Sequence, residues 1–269
     1  MMSAHENDGL VRPPAISFDR LPRVLWCLLL VNVLLLAGHL LSFMLRGRVL
    51  PFLDLDAEST VASWWSSAQL LLAAVTLGFV ALRNAAVSPA ALPLALLALL
   101  VLAMSADETA AVHEWVGKLL DSMLGDRTET AFHHSGLWFA VIGIPFAVVV
   151  VLILRRLAGF LVDVPGTGLR LLSGFATLLA GAVVVEGVTN LLIPEGLGRL
   201  RIEHGPYVAL SGLEEFLEMC GGSLLLWASL GLFRNHWSTR GAATELRPLT
   251  AAEVAWQRAA REPHRPGNP

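Results

Sequence analysis

Residues 24–45 read VLWCLLLVNVLLLAGHLLSFML, bounded by Arg23 and Arg46 and holding no Asp, Glu, Lys or Arg. An α-helix needs about 20 apolar residues to cross a hydrocarbon core about 30 Å thick. The run is longer than a signal-peptide core and no small-residue cleavage site follows it, so it reads as a retained span. Similar runs recur at residues 63–82, 89–109, 133–154, 171–193 and 208–233. They are continuous and rich in Leu and Ala rather than alternating, which favours helices over a β-barrel. The expected fold is all-α: a polytopic transmembrane helical bundle of six spans.

Composition agrees with that reading. Of 269 residues, 55% are hydrophobic and 15% charged, against about 25% charged in a typical soluble chain. A formal net charge of −3 offers nothing to a polyanion, so no nucleic-acid partner is expected. The bilayer itself is the first partner. Cys27 and Cys220 fall at different depths of the first and sixth spans, which argues against a disulfide between them.

Basic residues orient the bundle. With the N-terminus inside, 13 of the 19 Lys and Arg residues fall on the cytoplasmic side and 6 on the other. That bias predicts N-in/C-in in a bacterial cytoplasmic (inner) membrane, with Arg155–Arg156 anchoring the end of span four. Residues 1–20 read as a flexible cytoplasmic arm and 21–234 as the bundle. Residues 235–269 read as a cytoplasmic tail with a short helix, opened by a capping box at Thr250 and Glu253.

The ionisable residues inside the spans point to a site, because such residues are costly in a bilayer and face a partner or a water-filled cavity. His39 follows Arg23 by 16 residues, Glu186 follows Arg170 by 16, and Glu218 precedes Arg234 by 16. At 1.5 Å per residue each lies about 24 Å from the cytoplasmic boundary. Span three ends in Ser105-Ala106-Asp107-Glu108 and is expected to continue as helix through His113-Glu114. His133-His134 open span four, Glu203-His204 precede span six, and Glu214, Glu215 and Glu218 lie within it.

Helical geometry makes Glu214, Glu215 and Glu218 one acidic stripe, with Ser211 beside it. On a straight helix His113 and Glu108 point away from Asp107 on opposite sides. That set forms one site only if the helix kinks or partners approach from two sides.

Carboxylates and imidazoles are ligands of Zn, Fe and Mn, and helical bundles draw such ligands from several helices. Packed carboxylates repel unless they share protons or bind a cation. A divalent metal is therefore expected on His113, Glu114, His134, Glu186, Glu214 and Glu218. Asp107, Glu108 and Glu215 are candidates for acid–base work. The bland alternative is a hydrogen-bonded acid network joining spans three, five and six. His39 reads first as a packing residue. Glu203 and His204, near Arg199 and Arg201, read as a surface pair. Trp64, Trp65 and Trp138 suit packing or interfacial roles.

The strings SADETAAVHEW, residues 105–115, and LEEFLEMCGG, residues 213–222, resemble segments of uncharacterised bacterial multi-pass membrane proteins. Those proteins carry Asp-Glu…His-Glu and Glu-Glu-x-x-Glu-Met-x-Gly segments. The resemblance implies a membrane bundle and no particular activity. The leading expectation is a metal-dependent membrane enzyme, hydrolase or oxidase, acting on a lipid-like substrate. A cation- or proton-coupled transporter is the first alternative, although the cytoplasmic halves of the spans lack acids and histidines. The second is a non-catalytic subunit or b-haem carrier, with His39 and His134 as a haem pair. A retinal protein is excluded, because the only lysine, Lys118, lies outside the spans.

Overall fold

The computed structural model describes residues 21–124, 139–162, 164, 166–192 and 205–245. Among them there are helices and no strand. In chain order these are α1 (Leu21–Arg46), α2 (Val61–Asn84), α3 (Ala91–Ala110), α4 (Val112–Leu124), α5 (Ile144–Val162), α6 (Thr167–Leu179), α7 (Glu186–Leu192) and α8 (Gly205–Glu245). A π-helical turn, Phe139–Gly143, precedes α5, and a second, Ala180–Val185, joins α6 to α7. The chain divides into two units, residues 1–233 and 234–269. Of the second, the described part is the C-terminal stretch of α8.

Among the described residues, six helical segments are long and apolar enough to cross a bilayer: Leu21–Arg46, Val61–Asn84, Ala91–Ala110, Val141–Val162, Thr167–Thr189 and Gly205–Trp237. Their outer faces expose Leu34, Leu45, Leu72, Phe79, Leu92 and Leu99, among others. Only hydrocarbon would cover so much apolar surface at no cost. The chain is a multi-pass membrane protein.

Two boundaries differ from the sequence expectation. The helix expected over residues 133–154 runs to Val162, so Arg155 and Arg156 lie exposed within α5 and not beyond its end. The helix of span six continues to Glu245, past the expected end of the bundle. His133, His134, Glu203, His204 and the capping box at Thr250 and Glu253 lie outside the described residues.

Local signals explain most helix ends. Thr60 caps α2 through a reciprocal box with Ser63, which satisfies two otherwise orphaned amides. Gly47, at φ 67°, closes α1 with its amide on the Phe43 carbonyl, 2.8 Å away.

One half of the bundle is packed solid. Leu77 and Val80 of α2, Leu94 and Leu97 of α3, Leu157 of α5, Leu171 and Phe175 of α6, and Leu225 and Leu232 of α8 are buried in one apolar cluster. Small residues draw α6 and α8 together. A Cβ on Gly221 would stand 2.7 Å from the backbone nitrogen of Leu178, and one on Gly174 2.9 Å from Leu225 Cγ. Such close backbone approach is what glycine provides in membrane bundles.

Above this cluster lies an uncharged polar network. Asn32 donates to Ser223 (3.0 Å) and accepts from the Trp65 indole (2.8 Å), and Ser223 in turn donates to Gln69. It ties α1, α2 and α8 at mid-depth. Cys27 is exposed and Cys220 half-buried, both as free thiols.

Candidate functional site

The end of the bundle opposite the apolar cluster holds a cavity of about 280 Å³. Its lining comes from the α1–α2 connection and the start of α2, the C-terminal end of α3, the start of α4, the turn before α5 and the start of α5, the α6–α7 junction with α7, and α8. Alternating spans return their ends to one level, so the acids of separate helices meet there. Asp107, Glu108, His113, Glu186, Glu214, Glu215 and Glu218 all line this one space. The Glu114 side chain and His134, the other two proposed ligands, lie outside what is described.

Asp107 and His113 are joined by a break that the sequence reading did not place. α3 ends at Ala110, and Ala111 adopts a left-handed conformation, φ 46°, ψ 44°, with its amide on the Asp107 carbonyl at 2.8 Å. The expected continuous helix through His113-Glu114 is therefore interrupted. α4 then starts in a new direction and carries His113 back over the end of α3. Its ring Nδ1 lies 2.6 Å from Asp107 Oδ2, and its backbone amide donates to Asp107 Oδ1 at 3.0 Å. The carboxylate both caps α4 and holds the imidazole.

Glu218 sits deepest in the acidic stripe, close enough to Glu108, Glu214, Glu186 and Asp107 to interact with each charge. All five carboxylates are half-buried. Ser66 Oγ lies beside Glu108 without hydrogen-bond geometry. Ser211, 2% exposed and lining the cavity, has no hydrogen-bond partner for its hydroxyl among the described residues.

The π turn fits this arrangement to α8. A Cβ on Gly181 would stand 2.7 Å from the Glu214 carbonyl oxygen and 3.0 Å from Glu218 Cγ. Only glycine lets the turn approach the stripe so closely. π turns inside α-helices are frequent at functional sites. Here the turn immediately precedes Glu186.

A family model for a domain of unknown function (DUF8692) matches residues 24–233. The chain belongs to the DUF8692 family. No curated protein and no solved structure matches it. The matched stretch of this DUF8692 chain contains every cavity residue named above.

His39, at the same depth as Glu186 and Glu218 by residue count, is a structural clamp. Its Nδ1 accepts from the Leu55 amide at 3.1 Å, so Nε2 carries the proton and donates to the Val208 carbonyl at 3.0 Å. The ring is 1% exposed and packs against Gly212. Both nitrogens are committed within the fold, which leaves none to bind haem iron.

Among the described residues, no three His, Cys, Asp or Glu side chains are grouped closely enough to hold a metal ion. The carboxylates surround a space rather than converge on a point. Five further polar lining residues carried no sequence signal of a site: Asp56, Glu58, Ser63, Thr189 and Tyr207. Tyr207, the only tyrosine, donates to Asp56 at 2.9 Å and ties the α1–α2 connection to α8. Its rarity in the chain is the one feature that sets any of the five apart.

Proposed function

We propose that this chain is an integral membrane enzyme that acts on a lipid-like substrate in the acidic cavity, with Asp107 and His113 as its acid–base pair. The 2.6 Å contact between their side chains, inside a cavity at a membrane-spanning end, carries this reading. A carboxylate on Nδ1 orients an imidazole and stabilises its protonated form, so that Nε2 becomes the proton-exchanging nitrogen. Glu108, Glu186, Glu214, Glu215 and Glu218 then supply further proton-transfer groups around the bound substrate.

A second reading adds a divalent cation, Zn, Fe or Mn, which would supply activation of water or oxygen. The mutual proximity of Glu218, Glu108, Glu214 and Glu186 favours it, because packed carboxylates repel unless they share protons or bind a cation. As placed, no three of the described acids and histidines are grouped to hold it, so its ligands would have to draw closer. A carrier is less well supported, because the opposite half of the bundle is filled by buried Leu, Val and Phe.

The test uses the full chain in lipid nanodiscs. Wild type and His113→Ala are incubated with a total membrane lipid extract, and the lipids are compared by mass spectrometry alongside the metal content of each protein. The proposal expects a lipid species consumed by wild type and spared by His113→Ala. No difference between the two, with both folded, removes the enzyme reading. Stoichiometric metal lost in Glu218→Ala selects the metal-assisted version.

A further inference from the structure

α4 presents three different surfaces around its circumference. His113 and the buried Gly117 face the protein. Val112, Trp115, Leu119 and Met123 are exposed at 50%, 63%, 43% and 74%. At 100° per residue these four fall within an arc of about 80°. Lys118 and Ser122, also exposed, form a polar edge on one side of that arc.

We infer that α4 is an in-plane membrane helix, seated in the leaflet at the cavity end of the bundle, with its Val112–Trp115–Leu119–Met123 stripe embedded among lipid chains. Length supports this first. α4 has 13 residues, about 20 Å of helix, too short to cross a core of about 30 Å. Its position supports it next. α4 starts at Val112, one residue after Ala111 and directly beyond the end of the α3 span. It therefore begins at the membrane boundary. The lipid-facing side of α3, exposing Leu96, Leu99 and Leu102, leads up to the same turn.

The chemistry of the stripe fits the same occupant. Amphipathic helices that lie in the interface bury Trp and Leu on one side and keep a basic or polar edge toward water. Trp115 suits the headgroup level and Lys118 the aqueous edge. The inference rests on the bilayer location and not on the acid–base reading. It adds that the helix holding His113 against Asp107 is itself fixed by lipid.

Nitroxide labels test this on the full chain in nanodiscs. They are attached through genetically encoded p-acetylphenylalanine, so both native cysteines stay in place. Labels replace Trp115, Leu119 and Met123 on the stripe, and Lys118 and Ser122 on the polar edge, one per protein. The inference expects stripe labels to collide with oxygen and to lose access to a water-soluble nickel chelate, and edge labels to show the reverse. Equal nickel access at all five sites would overturn it, because the stripe would then face water. Stripe labels shielded from both reagents would also overturn it, because protein would then cover the face. Three stripe positions keep the result decisive if one label disturbs folding.

Discussion

Asp107 accepts two hydrogen bonds from His113, one from the ring at 2.6 Å and one from the backbone amide at 3.0 Å. Substitution separates the two roles. Asp107→Asn keeps an oxygen to cap α4, and its melting temperature in detergent is expected to stay near wild type. Asp107→Ala loses the cap as well, at about 1 kcal/mol. On the proposed acid–base role, lipid turnover is expected to fall in both by about 10²- to 10⁴-fold, the usual worth of positioned acid–base catalysis. Full turnover in Asp107→Asn would remove the carboxylate from the mechanism.

Ala111 occupies a conformation that glycine prefers. The left-handed region costs an L-residue with a Cβ about 1–2 kcal/mol, while glycine adds about 0.4–1 kcal/mol of unfolded-state entropy. Ala111→Gly is therefore expected to raise thermal stability slightly, and Ala111→Val to lower it. Stabilisation by valine would show that the break is absent.

His39→Ala leaves the buried Leu55 amide without its acceptor and removes the second hydrogen bond from the Val208 carbonyl, which keeps its bond within α8. The orphaned amide alone costs about 1–3 kcal/mol. A marked drop in melting temperature is the expected result. An unchanged melt would mean that the ring does not join α1, the α1–α2 connection and α8.

Gly221 and Gly222 are neighbours with opposite expected outcomes. A methyl on Gly221 meets the Leu178 backbone at 2.7 Å, whereas one on Gly222 meets Gln69 Cβ at 3.7 Å, an ordinary contact. Gly221→Ala should destabilise by about 1–3 kcal/mol through overpacking. Gly222→Ala should be neutral or gain up to about 1 kcal/mol from helix propensity. Thermal melts of the two variants side by side decide this.

Orientation is open to a reporter experiment. The 13-to-6 distribution of basic residues predicts both termini inside. A periplasm-active phosphatase inserted after Phe52 should be active, and one fused after Pro269 inactive. The reverse pattern inverts the bundle.

The six spans were legible in the sequence because hydrocarbon imposes length and apolarity on every crossing segment. The convergence of Glu186, Glu214, Glu215 and Glu218 on one cavity was legible from depth counting and helical angles. The meeting of Asp107 and His113 was not, because it depends on a left-handed residue and that residue is an alanine, which signals no turn. The π turn was equally hidden: Ala180–Val185 reads AGAVVV, with no proline to announce a change of winding. Arg155 and Arg156 misled because exposed arginines inside a helix look like a boundary. Asp56 and Glu58 carry no signal of a site, since nothing local shows that the α1–α2 connection reaches the cavity.

The π turn has a consequence for inheritance. An i→i+5 turn holds one residue more than an α turn, so it is equivalent to a single inserted residue in α6–α7. Removing one residue from 180–185 would restore regular winding and leave everything beyond it at nearly the same angle, because the wide turn already absorbs the extra residue. Glu186 and Thr189 would keep facing the cavity. Winding the same six residues as a regular helix would instead rotate both away from it by about 100°. A one-residue gap in an alignment of this stretch is thus compatible with the same cavity, whereas a relative of equal length with regular winding here would carry its glutamate elsewhere.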